Sequence, residues 1–263
     1  MNSARTLFSQ QLPSEASHFT TPQQEFKADP KRFVTDVIGS SLMAFLAIPV
    51  GVVGFFMPPS ERVYIFPISL AFGGLMAFGA FNVYKRSRTE KNQRVIVYRE
   101  GLLFEVGEQR EAFAWSEIES VWQEITTTYV NGVNAGTTHS YKLRLRKGRE
   151  RKVDNAIKDI QHLGNIIQKE VTEHLLPQAI KAFNAGETVR FGNLEVSRNG
   201  LGNGKTVLSW NEIKQVRIES GQLMINKSGK WLPWSSTEIS KISNVFVLCR
   251  LIEEILHPTT RKA

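Results

Sequence analysis

The sequence predicts an α+β protein: an apolar helical hairpin, then two tandem copies of an antiparallel β-sheet unit, each capped by a C-terminal helix. Three observations lead there. Residues 37–60 and 63–84 carry no charged side chain. Residues 97–121 and 196–216 repeat one order of motifs. Each repeat runs into apolar residues at helical spacing.

Residues 1–32 are rich in Ser, Thr, Gln and Pro and lack periodicity, which predicts a disordered polar tail. The hairpin occupies 33–88. Both uncharged runs exceed the roughly 20 residues that a helix needs to cross a ~30 Å hydrocarbon core, so spans are expected at about 37–57 and 63–84. The link Pro58-Pro59-Ser60-Glu61-Arg62 is short enough to make the helices antiparallel. Lys27, Lys31 and Arg32 precede the pair, and a juxtamembrane basic cluster of Lys85, Arg86, Arg88, Lys91 and Arg94 follows it. The positive-inside rule then places both termini in the cytoplasm of a two-pass cell-membrane protein. Cys249 is the single cysteine, which excludes an internal disulfide and fits a reducing compartment.

Neither span holds Asp, Glu, Lys, Arg or His, so the hairpin reads as an anchor rather than as a pore or transporter. Small residues recur at Ser40, Ala44, Ala47, Gly51 and Gly54, and again at Ser69, Gly73 and Ala77. Such rows let helix backbones approach closely, either within the hairpin or between copies in a homo-oligomer.

The soluble part divides into units at 93–184 and 185–257, with a tail at 258–263. Val97-Tyr98-Arg99-Glu100-Gly101-Leu102 is matched by Val196-Ser197-Arg198-Asn199-Gly200-Leu201. Trp115-Ser116-Glu117-Ile118-Glu119-Ser120-Val121 is matched by Trp210-Asn211-Glu212-Ile213-Lys214-Gln215-Val216. In the first unit, β-rich runs at 118–130 and 137–146 flank Asn131-Gly132, a strong hairpin signal. A helix is expected to start at Asp154 or Asn155, to run on Ile157, Ile160, Leu163, Ile167 and Val171, and to kink or break at Pro177. In the second unit, Ser235-Ser236-Thr237-Glu238 reads as a capping box for a last helix on Ile239, Ile242, Phe246, Cys249, Ile252 and Leu256.

A Gly-Leu turn, a Trp-x-[Asp/Glu]-Ile strand entry and a closing amphipathic helix resemble bacterial pleckstrin-homology-like domains over residues 94–257. Within 115–141, Tyr129-Val130-Asn131-Gly132 and Gly136-Thr137-Thr138-His139 resemble an uncharacterised family of membrane proteins with such domains. The resemblance implies two tandem PH-like domains, each a sheet or partial barrel closed by a helix, with binding or scaffolding roles and no catalytic residues.

Residues 199–206 nearly spell a phosphate-binding loop, but Val207-Leu208-Ser209-Trp210 after them reads as a strand rather than the required helix. The histidines, His18, His139, His162, His174 and His257, form no pair at metal-ligand spacing. No cofactor and no catalytic site is expected. Net charge is +8. Lys142, Arg144 and Arg146 alternate with Leu143 and Leu145, and Arg149, Arg151 and Lys152 follow past a turn, giving a candidate contact surface for an anionic partner. A solvated sheet face gives the same pattern. Nucleic acid is not expected, because the cations are not interleaved with aromatics. The expected function is a membrane-anchored cytoplasmic binding or scaffolding module for protein partners and anionic lipid. The alternative is an accessory or enzymatic subunit of a membrane complex.

Overall fold

The computed structural model describes residues 19–52, 56 and 58–258. The first unit comprises β1 (Pro22–Lys27), α1 (Pro30–Val52), α2 (Pro59–Glu90), β2 (Gln93–Tyr98), β3 (Gly101–Val106), β4 (Gln109–Ala114), β5 (Ile118–Val130), β6 (Val133–Leu145), β7 (Glu150–Asp154) and α3 (Ile160–Asn184). The second comprises β8 (Val189–Phe191), β9 (Leu194–Ser197), β10 (Gly200–Gly202), β11 (Val207–Leu208), β12 (Ile213–Glu219), β13 (Gln222–Lys227), β14 (Pro233–Glu238) and α4 (Val245–Leu256). Each unit is a four-stranded antiparallel meander, a 3-10 turn at the repeated Trp, a three-stranded meander and a helix. The architecture is α+β with antiparallel sheets.

The repeat also exposes a correction. Residues 19–32 are not a disordered tail: Pro22–Lys27 is the first strand of the first sheet, with Glu25 opposite Ile96 and Lys27 opposite Arg94. Phe26, 4% exposed, enters the first core, and Phe19 packs on Tyr98 with ring centres 5.2 Å apart. These two aromatics anchor an otherwise polar strand. Residues 1–18, and the terminal tail from 259, lie outside the described residues. β8 holds the place of β1 in the second unit, joined to β9 by Gly192-Asn193. In the first unit the whole helical pair stands between the corresponding strands.

α1 and α2 pack along one another. Ser40, Ser69, Gly73 and Ala80 are buried, whereas Ala44 and Ala77 are exposed. Large apolar side chains face outward on both helices, among them Ile38, Leu42, Phe45, Ile68, Leu75 and Phe78. Among the described residues one helix, Val63–Arg88, is long and apolar enough to cross a membrane. Part of the first expected span, residues 53–55 and 57, lies outside the described residues, as does Gly54 of its small-residue row.

Two glycines of the repeated motif let strands approach closely. A Cβ on Gly101 would lie 2.2 Å from the Phe113 carbonyl oxygen, and one on Gly200 would lie 2.1 Å from that of Leu208. The equivalent indoles close the same corner, Trp115 donating to the Arg99 carbonyl at 3.2 Å and Trp210 to that of Ser197 at 3.0 Å.

The units share α3. Its N-terminal half gives Ile160, Leu163, Ile167 and Val171 to the first core, and its C-terminal half gives Leu176, Ala179, Ile180 and Phe183 to the second. The helix runs unbroken through Pro177. It starts later than its expected cap: Asp154 ends β7, the Asn155 side chain accepts from the His139 backbone N–H, and Asp159 in the left-handed region precedes Ile160. The expected capping box at Ser235–Glu238 is the edge strand β14, paired to β13, and α4 begins only after Asn244. Asn244 joins the units. Its side chain accepts from the Val121 N–H at 2.8 Å and donates to the Glu119 carbonyl at 2.9 Å on the free edge of β5.

Candidate functional site

β6 alternates as its sequence requires: Tyr141, Leu143 and Leu145 are fully buried, and Lys142, Arg144 and Arg146 are exposed. The register places Lys142 between Trp122 on β5 and Lys152 on β7, and Arg144 between Ser120 and Glu150. Trp122 is half-buried, with the Arg144 guanidinium 4.8 Å and the Lys142 ammonium 5.7 Å from its ring centre, both at cation–π distance. Glu150 accepts from Lys142 at 2.8 Å and from Arg144 at 3.1 Å. Those hydrogen bonds hold its carboxyl below the usual range. Lys152 has no carboxylate partner among the described residues.

Trp122, Lys142, Arg144 and Lys152, with Glu124 and Ser140, line an open groove of about 400 Å³ that Ser240 of the second unit borders. A second groove of about 380 Å³ shares Glu124, Ser140 and Lys152 and adds Thr126, Thr138, His139 and Arg32 of α1. Asp154 fixes this end of the sheet to the helical pair, accepting from Arg32 at 3.3 Å and lying 3.9 Å from Arg86. The cationic face therefore sits at the foot of α1 and α2.

Not every expected contact residue belongs to it. Arg149 and Arg151 both pair with Glu111 on β4. Arg151 stands opposite Leu143, on the side of β7 that turns toward the other sheet, so it bridges the sheets instead of joining Lys142. Arg146 follows β6 in a 3-10 turn. In the basic cluster expected beside a membrane, Lys85 and Arg88 are exposed, Arg86 holds Asp154, and Lys91 lies 5.5 Å from the Phe33 ring centre. Arg94 is a sheet residue. It donates to Glu105, which is 5% exposed and also held by Arg110 at 2.9 Å, and to Glu25 at 3.3 Å. Burial alone would lower the Arg94 pKa, and the two carboxylates more than offset it.

Sequence reasoning missed Trp122, Arg32 and Asp154. Trp122 had a sequence signal, lying beside buried Val121 on a strand that alternates.

Residues 199–206 comprise strand β10 and the turn after it: Asn203 Oδ1 accepts from the backbone of Lys205 at 3.1 Å and Thr206 at 2.9 Å, and β11 follows. No group of three or more His, Cys, Asp or Glu side chains could hold a metal ion among the described residues. His18 lies outside them. Burial pushes the Cys249 thiol up to about 11, the opposite of an activated nucleophile.

Residues 1–261 match a protein family described as a family of unknown function (DUF6585). The chain belongs to that family. No curated protein and no solved structure matches it.

Proposed function

We propose that this chain is a membrane-anchored binding module. In this reading α1 and α2 cross the bilayer as a hairpin, both termini are cytoplasmic, and two tandem PH-like domains hold a cationic sheet face against anionic lipid headgroups. Large apolar side chains facing outward on both helices support the anchor, because water-soluble surfaces rarely expose contiguous apolar patches of that size. The order of four strands, three strands and a helix, present twice, supports the PH-like reading.

The observation that carries the function is the Asp154 contact with Arg32 and Arg86, which sets Lys142, Arg144 and Lys152 beside the base of the hairpin. Each Lys or Arg near an anionic leaflet contributes about 1 kcal/mol, and Glu150 offsets part of that. So weak an attraction suffices for a tethered domain, whose local headgroup concentration is high.

The test is lysine acetylation of the full-length protein in bilayers with and without anionic lipid. Lys142 and Lys152 should react more slowly in the anionic bilayer, and salt should restore the rate. Equal rates in both bilayers at low salt would sink the lipid reading. Topology is tested separately: an impermeant reagent should reach the Pro58–Arg62 link and the β12–β13 turn from opposite sides of a sealed membrane.

A further inference from the structure

We infer that the tip of the β5–β6 ribbon is a second membrane contact, lying in the headgroup region beside the helical hairpin. The inference rests on the reading that α1 and α2 lie in the bilayer.

β7 ends at Asp154, opposite Ser140, so beyond that point β5 and β6 continue as a ribbon of two strands. Residues 125–139 contain no Asp, Glu, Lys or Arg, in a chain that is 22% charged. Tyr129, Val130 and Val133 at the tip are 65%, 56% and 70% exposed. The tip has a defined shape. Asn131 and Gly132 have φ of 51° and 79°, as a type I′ turn requires, the Thr127 and Thr137 hydroxyls meet at 3.2 Å, and Asn134 Oδ1 accepts from the Gly136 N–H at 2.8 Å. A bare ribbon with exposed apolar residues is a poor element in water.

Its position names the occupant. Thr126 and Thr138 share a groove with Arg32, and Ser140 faces the Asp154 that Arg32 and Arg86 hold. The ribbon thus leaves the domain at the end where the helices join it. Four further residues, at ~3.3 Å each, carry Val130 roughly 13 Å past Thr126. Depth is limited by the unpaired outer edges of both strands, which hydrocarbon does not tolerate. Threonines and a tyrosine suit the interface, where a ring and its hydroxyl are both accommodated. The corresponding hairpin of the second unit differs. It is short, turns at Ser220-Gly221 and carries Arg217 and Glu219.

The experiment uses full-length protein in liposomes with one added cysteine bearing an environment-sensitive fluorophore: Val133→Cys at the ribbon tip, Ser220→Cys at the second-unit turn, or Leu75→Cys in α2. Cys249→Ala accompanies each variant, so that the added cysteine alone carries the label. Emission is read against lipid-attached quenchers and aqueous iodide. The Val133→Cys label should lose emission to shallow lipid quenchers and resist iodide, and the Ser220→Cys label should do the reverse. A Val133→Cys label that iodide quenches and lipid does not, beside a lipid-quenched Leu75→Cys label, overturns this inference and leaves the anchor standing. A Leu75→Cys label open to iodide overturns both.

Discussion

The glycines of the repeated motif make a sharp prediction, and Gly101→Ala is its cleanest form. The added methyl would stand 2.2 Å from the Phe113 carbonyl oxygen and 2.8 Å from the Ala114 Cα, both main-chain atoms of a paired strand. Restoring ordinary contact requires β3 and β4 to part by about 1 Å at that point. The same movement pulls at two hydrogen bonds of Trp115, its N–H to Glu100 at 3.1 Å and its indole to Arg99 at 3.2 Å. Each bond contributes about 1 kcal/mol, and overpacking a closed core costs about 1–3 kcal/mol. A total near 4 kcal/mol corresponds to a fall in Tm of about 10 °C for a unit of this size. Gly200→Ala should cost about 1–3 kcal/mol more, because φ of +141° adds backbone strain to a 2.1 Å contact. Gly107→Ala is the control for backbone strain without a clash, a turn glycine with φ of +62° and open space around its Cβ position. Thermal unfolding of the full-length protein in mild detergent, followed by circular dichroism, reads all three. A Gly101→Ala protein melting with its parent would refute the close approach, and with it the equivalence of the two units.

Gly164→Ala should lower stability by about 1–2 kcal/mol, although alanine favours a helix by about 1 kcal/mol, because the methyl would fall 1.9 Å from the fully buried Tyr141 ring. In a Tyr141→Leu background the same change should stabilise, which a double-mutant cycle of melting curves will show. Asn244→Ala should cost about 2–3 kcal/mol, from two lost hydrogen bonds and a φ of 53°, and hydrogen exchange at the Val121 amide should accelerate. Glu150 has a folded pKa below its unfolded one, so its contribution is present above the ordinary carboxylate range and is lost as pH falls through the lowered value. Glu150→Gln should remove that acid dependence in pH melting series and slow Lys142 acetylation further in anionic bilayers. Cys249, raised to about 11, should resist thiol reagents at neutral pH until the protein unfolds, as a stopped reaction with and without urea will show.

The helical pair, the repeat and the alternation of β6 were legible because each is written in local periodicity. β1 was not. Phe26 is the single apolar residue of Pro22–Lys27, and the strand's partner lies beyond the helical pair. The repeat held a clue, since Val189 and Phe191 precede the second Gly-Leu motif and called for a counterpart before Arg94. The site was legible in part. Lys142 and Arg144 follow from alternation, but their meeting with Trp122 depends on a bulge at Thr128/Tyr129. Without that bulge the Asn131-Gly132 turn would set Trp122 opposite Tyr141 in the core. That Arg149 and Arg151 pair with Glu111 was not legible, because β6 and β7 are joined by a 3-10 turn, and counting from β6 does not say which side of β7 faces Glu111. The capping-box reading failed because Ser-x-x-Glu also fits a polar edge strand with no apolar phase to arbitrate.

The insertion of α1 and α2 between β1 and β2 has a consequence for biosynthesis. Sixty-five residues separate Lys27 from Gln93, so at 5–20 residues per second the ribosome takes about 3–13 s to deliver the partner of a strand already made. The two helices must be synthesised before the first sheet can close, and the domain is completed only by a chain that has made that detour. A fragment begun after the helices would leave the ribosome with one edge of β2 bare, an invitation to aggregate. The helical pair and the first sheet are thus made in a fixed order, helices first.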